Sequence, residues 1–155
     1  MIIVVEGPEG SGKSTLGRQL ADKHGLVYFH TGGGNEPVET WWPKVQEFAD
    51  FRNVVFDRFP SISELVYSRA MGRPQRVTDA QLIELWRKLP DAQLIYCRPP
   101  VEKILANCKA RFTKEWKPLE EQERIERRIN DIVVAYDAAM QHVYHPTKIH
   151  NWEDM

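Results

Sequence analysis

The sequence has few cysteines, almost no net charge and no long apolar run. Its two cysteines, Cys97 and Cys108, fit neither a disulfide framework nor a metal-binding spacing, so we expect a reducing compartment. A formal net charge of −1 provides no overall attraction to nucleic acid. No apolar run is long enough to span a bilayer, and the first strand-like run leaves no room for a signal peptide before it. We therefore expect a cytoplasmic protein without a membrane partner.

What is present is the composition of a soluble globular domain. The 155 residues are 42% hydrophobic and 28% charged, which is enough apolar material for one buried core. No internal repeat or low-complexity segment divides the chain. We expect a single domain over residues 1–155.

Strand-like and helix-like segments alternate along the chain. Apolar, β-branched runs predict strands at residues 2–5, 26–30, 53–56 and 93–97, with a short edge strand at 147–150. Helical spacing predicts helices at 16–24, 37–48, 62–71, 101–111 and 119–143, and another that Thr78 caps. This alternation predicts an α/β fold of three layers (α/β/α) with a parallel sheet of five or four strands, the first strand being central.

A phosphate-binding motif follows the first strand. The segment GPEGSGKST, residues 7–15, fits G-x-x-x-x-G-K-[ST] and stands between a strand and a helix, as that motif requires. Glycines let backbone N–H groups turn towards a polyphosphate, and the next helix adds the positive end of its dipole. Lys13 would reach the outer phosphates, and the Ser14 hydroxyl would take one position on Mg²⁺. We predict that ATP is bound by Gly7, Glu9, Gly10, Ser11, Gly12, Lys13, Ser14 and Thr15.

Charged residues recur where the predicted fold would place a ligand. Asp57 and Arg58 end the third strand, at the sheet edge where open α/β folds bind ligands; the alternative is a surface ion pair. Arg111, Lys114 and Lys117 occupy a predicted break between helices at residues 111–118, where a closing lid would lie; the alternative is a solvated linker.

Two further segments have more than one interpretation. Trp41, Val45 and Phe48 share one helical face and are expected in the core, whereas Trp42 lies beside that stripe and is freer to contact a ligand. The turn-rich segment from Arg73 to Arg76 is basic and predicts an exposed loop.

These features favour phosphoryl transfer over work-driving hydrolysis. The chain is nearly all helix and sheet, which leaves little for coupling nucleotide state to a partner. A cationic lid also suits the spread negative charge of a transferring phosphoryl group, and its closure excludes water.

Several segments resemble thymidylate kinases. The run VEGPEGSGKST (residues 5–15) is similar to that family's E-G-x-[DE]-G-x-G-K-[ST]-T, and Asp57-Arg58-Phe59 with Ser61, Ser63 and Tyr67 resembles its D-R-[YF]…S…Y segment. PDAQLIY (residues 90–96) resembles its P-D-L-x-I-Y-L strand. The chain is shorter than usual family members, and its compactness resembles kinases of bacteriophages.

The resemblance implies roles for individual residues. It implies that Glu9 contacts the 3′ hydroxyl of the acceptor sugar and that Arg58 holds the acceptor phosphate. It implies that Asp57 organises the Mg²⁺ site and that Arg111 supplies the catalytic lid cation. Tyr67 comes one residue later after Asp57 than the family's tyrosine and is expected to bind the acceptor, and Trp41 or Trp42 would replace the family's base-stacking ring.

The sequence is compatible with three functions. The first is a kinase that moves the γ-phosphoryl group of ATP to a deoxynucleoside monophosphate, dTMP or a modified pyrimidine relative, with Lys13, Asp57, Arg58 and Arg111 as catalytic residues. The second phosphorylates a hydroxyl, of a nucleoside or of a hydroxymethylated base in DNA, with Asp57 as proton acceptor and residues 73–76 along the DNA backbone. The third is a nucleotide-binding regulatory module without transfer activity. The oligomeric state is open between a monomer and a homodimer.

Overall fold

Five parallel strands form a single sheet in the computed structural model, which describes residues 1–32, 34–115 and 119–152. The strands are β1 (Ile2–Glu6), β2 (Val27–His30), β3 (Val54–Asp57), β4 (Gln93–Cys97) and β5 (Lys148–His150). Their order is β2-β3-β1-β4-β5, and all four neighbouring pairs are parallel. The prediction of a five-stranded parallel sheet with a central first strand is confirmed.

Helices connect the strands and cover both faces of the sheet. They are α1 (Lys13–His24), α2 (Val38–Phe48), α3 (Pro60–Met71), α4 (Asp79–Arg87), α5 (Val101–Glu115) and α6 (Leu119–Ala139), and α6 continues into a π-helical turn (Met140–Tyr144). The helix predicted over 119–143 is α-helical as far as Ala139, and the π-helical turn forms its last residues. The other boundaries differ from the predictions by a few residues.

The alternation of side chains along β1 explains the three layers. Ile2 and Val4 point to the face that is covered by α2, α3, α4 and α6. Ile3 and Val5 point to the opposite face, where Leu16 and Ala21 of α1 cover them. Because both faces are buried, the strand is apolar at successive positions rather than at alternate ones. The chain therefore has the predicted three-layer α/β/α architecture.

The predicted lid boundary is partly wrong. Helix α5 runs to Glu115, so Arg111 and Lys114 lie within a helix and not in a break. The residues after Arg111 are compatible with helix, and the first strong helix breaker is Pro118. Residues 116–118, including Lys117, lie outside the described part of the chain. Among the helices that are described, none is long and apolar enough to cross a membrane.

Candidate functional site

The phosphate loop depends on two glycines with left-handed backbone. Gly10 has φ 78° and Gly12, the N-cap of α1, has φ 82°. A Cβ at Gly10 would lie 2.7 Å from the Ile104 carbonyl oxygen, and a Cβ at Gly12 would lie 2.7 Å from Nε1 of Trp152. The loop is thus packed between α5 and Trp152, and it leaves no room for a side chain at either position.

Lys13, Ser14 and Asp57 meet at the carboxyl edge of the sheet. Lys13 is 8% exposed, and its burial together with nearby Arg58 lowers its pKa to about 8. The Ser14 hydroxyl donates a hydrogen bond of 2.6 Å to Oδ2 of Asp57, and the Tyr28 hydroxyl donates to the same oxygen. Tyr28 lies on β2, and we did not single it out from the sequence because a tyrosine in a short strand carries no motif. The three predicted residues lie together as the sequence indicated.

Ser14 and Asp57 fit a hard divalent cation such as Mg²⁺. The Oδ1 oxygen of Asp57 is buried and has no hydrogen-bond partner among the described residues, so it can accept a ligand. Carboxylate and hydroxyl oxygens are donors that Mg²⁺ prefers, and Mg²⁺ in phosphoryl-transfer sites needs only one or two protein carboxylates. The described residues contain no cluster of three or more His, Cys, Asp or Glu side chains that could hold a metal ion.

Arg58 is held in an unusual backbone conformation. Its φ is 67°, a left-handed value that costs a non-glycine residue about 1 kcal/mol or more. Its N–H donates to the Val5 carbonyl at 2.9 Å, which ties the turn after β3 to β1. Its guanidinium donates to the Tyr67 hydroxyl at 2.7 Å, and its Cζ lies 4.8 Å from the centre of that ring. The Arg58–Tyr67 pair, which the resemblance brought together, is therefore in direct contact.

Glu6 is a buried carboxyl group that supports this turn. Its Oε1 accepts from the Phe59 N–H at 2.6 Å, and its Oε2 accepts from the Tyr136 hydroxyl of α6 at 2.8 Å. The side chain is fully buried, and burial raises its pKa to about 7. Sequence reasoning gave Glu6 no role of its own. The available signal was a carboxylate at the end of an otherwise apolar strand.

A cavity of about 330 Å³ opens beside the loop. It brings together Glu9, Arg58 and Tyr67, three residues predicted to bind an acceptor. Of the two tryptophans, Trp41 lines this cavity and Trp42 does not; Trp42 packs against the core. Trp41 is 3% exposed and lies in the core, as its place on the helical stripe predicts. Its ring also forms part of the cavity wall.

The basic loop folds inward rather than along the surface. Arg73 and Arg76 both bind the carboxylate of Glu64, a residue of α3 that is fully buried. The Arg76 guanidinium also lies 3.8 Å from the centre of a Trp41 ring and donates to the Glu36 carbonyl at 2.8 Å. The expectation of an exposed loop free to follow DNA is wrong for these two arginines, because a buried carboxylate holds both.

Arg111 and Thr15 lie away from this first cavity. Arg111 is exposed on α5, one turn beyond Cys108, and is not among the residues that line the cavity. Thr15 lines a second cavity of about 340 Å³ on the other side of the loop, with Trp152 as its aromatic wall. The Trp152 indole N–H donates to the Ser11 carbonyl at 2.8 Å. The contact of Trp152 with the loop could not be predicted from the sequence, since no motif connects residues so far apart.

Comparison with known sequences finds only short matches. No protein-family model matches the chain. A cytidylate kinase of Herpetosiphon aurantiacus is 60% identical over 30 residues, which cover 19% of this chain and 13% of that protein. A bifunctional pantoate ligase/cytidylate kinase of Trichormus variabilis is 55% identical over 40 residues, which cover 26% of this chain and 7% of that protein. Each match spans a small fraction of the relative's length.

Comparison with solved structures covers nearly the whole chain. The YorR protein of Bacillus subtilis, in complex with phosphorylated GDP, is 22% identical with a TM-score of 0.75 over 98% of this chain and 85% of that one. Deoxyadenosine kinase of M. mycoides with dCTP is 19% identical, with a TM-score of 0.63 over 97% and 90%. Shikimate kinase of Acinetobacter baumannii with shikimate is 18% identical, with a TM-score of 0.61 over 96% and 81%.

These matches support neither DNA nor a second copy of the chain as a partner, and the resemblance to thymidylate kinases stays a prediction. At these identities the likeness concerns architecture. The chain has the three-layer α/β/α fold of the P-loop kinases.

Proposed function

We propose that this chain is an ATP-dependent kinase that transfers the γ-phosphoryl group to a deoxynucleoside monophosphate, with dTMP or a modified pyrimidine nucleotide as acceptor. The observation that carries the proposal is the position of Glu9. It belongs to the phosphate loop and also lines the cavity that contains Arg58. A donor bound by the loop and an acceptor in the cavity would therefore meet at one edge of the sheet.

The donor side is formed by the loop. Its backbone N–H groups and Lys13 would hold the phosphates, while Ser14 and Asp57 would hold Mg²⁺. When bound, Mg²⁺ would neutralise charge on the outer phosphates. The buried ammonium of Lys13 acts in a site of low dielectric, where its attraction to a phosphate is stronger than in water.

The acceptor side is the cavity. Arg58 would bind the acceptor phosphate through its guanidinium, which matches a phosphate in shape and charge. Glu9 would accept a hydrogen bond from the 3′ hydroxyl of the sugar, and Tyr67 keeps the Arg58 side chain in place. The acceptor phosphate is itself an ionised nucleophile at neutral pH, so this reaction needs no strong general base.

Cations near the α5–α6 connection would complete the site. We propose that Arg111, Lys114 and Lys117 approach the transferring group when the segment closes over it and excludes water. Arg111 lies on α5, the helix that contacts the loop at Gly10. A movement of α5 would therefore change the distance between the Arg111 guanidinium and the phosphates of a bound donor.

The comparisons support a kinase and leave the acceptor open. Their short sequence matches include cytidylate kinases, and their structural neighbours include kinases named for deoxyadenosine and for shikimate. Those two names keep transfer to a hydroxyl as the second candidate, with Asp57 as proton acceptor. The intact set of Lys13, Ser14 and Asp57 argues against a regulatory module without transfer.

The test is to incubate the protein with ATP, Mg²⁺ and single acceptors and to follow ADP release. The acceptors are the deoxynucleoside monophosphates, the matching nucleosides and DNA containing hydroxymethyluracil. Release with monophosphates alone supports the proposal. Release with nucleosides or DNA alone contradicts it, and ATP binding without release for any acceptor indicates the regulatory module. Lys13→Ala should abolish transfer, whereas Lys23→Ala, at the other end of the same helix, should leave it unchanged.

A further inference from the structure

The carboxylate of Asp57 has hydrogen-bond donors on only one of its two oxygens. Its Oδ2 accepts from the Ser14 hydroxyl at 2.6 Å and from the Tyr28 hydroxyl. Its Oδ1 is buried and has no hydrogen-bond partner among the described residues. An ionised carboxylate has about four lone-pair sites, two on each oxygen. Two donors therefore saturate Oδ2, and Oδ1 is the oxygen that can take a further ligand.

The Tyr28 hydroxyl reaches Asp57 along the surface of the sheet. Tyr28 on β2 lies opposite Val55 on β3, and Asp57 follows Val55 by two residues, so both point to the same face. That face is covered by α1, and Tyr28 packs against the core that contains Val55. The Tyr28 ring thus extends towards the end of β3, where its hydroxyl meets the carboxylate.

Two residues of α1 contact the Tyr28 ring. A Cβ at Gly17 would lie 3.1 Å from Cε2 of the ring, so the lack of a side chain at Gly17 lets helix and ring pack closely. Glycine weakens the interior of a helix, and this close approach accounts for its presence within α1. Cζ of Arg18 lies 5.1 Å from the ring centre, in the range of a cation–π contact. Both contacts involve the ring and would persist without the hydroxyl.

The two donors to Oδ2 come from different elements. Ser14 belongs to the first turn of α1, and Tyr28 belongs to β2. A single hydrogen bond would let the plane of the Asp57 carboxylate pivot, because the torsion that sets this plane has broad minima. Two donors from separate elements restrict this pivot, and so they fix the direction in which Oδ1 points.

We propose that Tyr28 is a positioning residue for the divalent cation of the donor nucleotide: its hydroxyl holds Asp57 so that Oδ1 is the oxygen available to the cation or to water bound to it. The inference rests on one part of the proposed function, the binding of Mg²⁺ by Ser14 and Asp57. It does not depend on which acceptor receives the phosphoryl group. Removal of a hydrogen bond that orients a metal ligand typically lowers metal affinity by about 10–100-fold.

Tyr28→Phe tests this role, because it removes the hydroxyl and keeps the ring with its contacts to α1. The probe is a non-hydrolysable ATP analogue, whose Kd is measured by equilibrium binding in Mg²⁺ and in EDTA. The ratio of the Kd in EDTA to the Kd in Mg²⁺ is the metal-dependent gain in affinity. We expect Tyr28→Phe to reduce this gain by about tenfold and to change the Kd in EDTA by less than about twofold.

Tyr144→Phe is the matched control. It also removes one hydroxyl and one hydrogen bond, which Tyr144 donates to the Ser61 carbonyl at 2.8 Å. Tyr144 is buried in the π-helical turn and lines neither of the two cavities beside the phosphate loop. This variant should therefore keep the wild-type gain. Thermal unfolding verifies that both variants are folded.

Two results for Tyr28→Phe would overturn the inference. An equal loss of affinity in Mg²⁺ and in EDTA would mean that the hydroxyl supports the phosphate loop and not the cation. An unchanged or increased metal-dependent gain would mean that Asp57 needs no second donor to bind the cation.

A double-mutant cycle assigns the effect to Asp57. Without this carboxylate the Tyr28 hydroxyl has no metal ligand to position, so Tyr28→Phe added to Asp57→Ala should change the metal-dependent gain by less than about twofold. A further tenfold loss in that background would mean that Tyr28 affects the cation by another route, and the inference would fail.

These binding measurements separate the role of Tyr28 from the proposed function, because they include neither an acceptor nor a transfer step. Failure to transfer phosphate to any deoxynucleoside monophosphate refutes the proposed function, yet a gain that Tyr28→Phe reduces still upholds the role of Tyr28. Conversely, a wild-type protein that binds the analogue equally well in Mg²⁺ and in EDTA refutes the role of Tyr28, even if transfer to a monophosphate is observed.

Discussion

Two carboxylates at the ends of neighbouring strands have opposite environments. Glu6 ends β1 and has a hydrogen-bond donor on each of its two oxygens. Asp57 ends β3, and one of its oxygens has no partner among the described residues. A buried polar atom without a partner costs about 1–3 kcal/mol, so it marks a place where a ligand is expected. Asp57 is thus suited to bind a ligand, whereas Glu6 supports the turn that contains Arg58.

Glu6 makes the stability of the protein depend on pH in a defined direction. Its pKa in the folded protein is about 7 against an ordinary value of 4.5, so between these values the folded state binds more protons than the unfolded state. The free energy of unfolding therefore falls as the pH rises from about 4.5 to 7. At about 1.4 kcal/mol for each pH unit, the full contribution approaches about 3 kcal/mol.

We expect Glu6→Gln, which mimics the protonated acid, to lose this dependence of stability on pH. The free energy of unfolding of Glu6→Gln minus that of the wild type should be about 1–3 kcal/mol larger at pH 8 than at pH 5. Urea unfolding at several pH values measures the difference, and Glu84→Gln, at an exposed position of α4, is the control. If the free energy of unfolding changes with pH equally in the wild type and in Glu6→Gln, then Glu6 is not the source of the pH dependence.

Arg58 combines a side chain that lines the cavity with a left-handed backbone. We expect Arg58→Ala to raise KM for a monophosphate acceptor at least tenfold, while KM for ATP changes little, because Arg58 lines the cavity that we propose for the acceptor. Steady-state kinetics with each substrate varied in turn measures both constants. An unchanged acceptor KM would refute the role of Arg58.

A glycine variant separates strain from binding. Arg58→Gly removes the same guanidinium but accepts the left-handed backbone at φ 67°. It should therefore lose acceptor binding as Arg58→Ala does and yet be more stable than Arg58→Ala by about 1 kcal/mol.

At the scale of elements, α1 begins and ends on glycines with left-handed backbone. Gly12, its N-cap, has φ 82°, and Gly25, its C-cap, has φ 65°. Among the described residues, no atom lies within 4 Å of a Cβ placed at Gly25, whereas a Cβ at Gly12 would meet the Trp152 indole. Both ends of α1 therefore require a left-handed backbone, but Trp152 packs against Gly12, whereas Gly25 has open space beside it among the described residues.

This difference predicts unequal effects of alanine. Gly25→Ala should lower the free energy of unfolding by about 1–2 kcal/mol through backbone strain and leave ATP binding unchanged. Gly12→Ala should carry the same strain and also displace Trp152 and the loop, so that ATP binding falls by at least tenfold. Titration with a fluorescent ATP analogue distinguishes the two. Equal loss of binding in both variants would mean that strain in α1, rather than contact at the loop, controls affinity.

At the scale of the whole molecule, the sheet order brings the phosphate loop and the turn at Arg58 to one edge of the sheet. The central strand β1 leads into the phosphate loop, and its neighbour β3 leads into the turn that carries Arg58. Because these strands are parallel and adjacent, residues 57 and 58 lie beside a loop more than 40 residues earlier in the chain. Alternating strands and helices were sufficient to predict this arrangement.

Other parts of the site could not be predicted from sequence patterns. The Glu64–Arg73–Arg76 cluster joins a helix to a loop by side-chain pairing, and such pairing has no periodic signal. The predicted break begins too early because most of the charged and aromatic residues after Arg111 are compatible with helix, and α5 continues to Glu115. The helical stripe predicts a core position for Trp41, but a stripe does not show where the core reaches a cavity, so it could not decide between Trp41 and Trp42 as the ring that lines the cavity.

Binding of the donor should stabilise the molecule as a whole. ATP with Mg²⁺ at about 100 times its Kd should raise the free energy of unfolding by about 2.7 kcal/mol, provided that only the folded state binds. Lys13→Ala should show little of this increase. Thermal unfolding with and without nucleotide measures the effect, and an equal increase in both proteins would place the nucleotide outside the phosphate loop.

The contact between Trp152 and the loop affects when the protein becomes able to bind during its synthesis. The indole N–H of Trp152 and the Ser11 carbonyl that it binds are 141 residues apart, and β5 is the edge strand that delivers this segment. A growing chain is made from its amino terminus at about 5–20 residues per second. For about 7–28 s, therefore, the phosphate loop exists without its aromatic wall, and a chain that stalls before residue 152 lacks the indole that packs against Gly12.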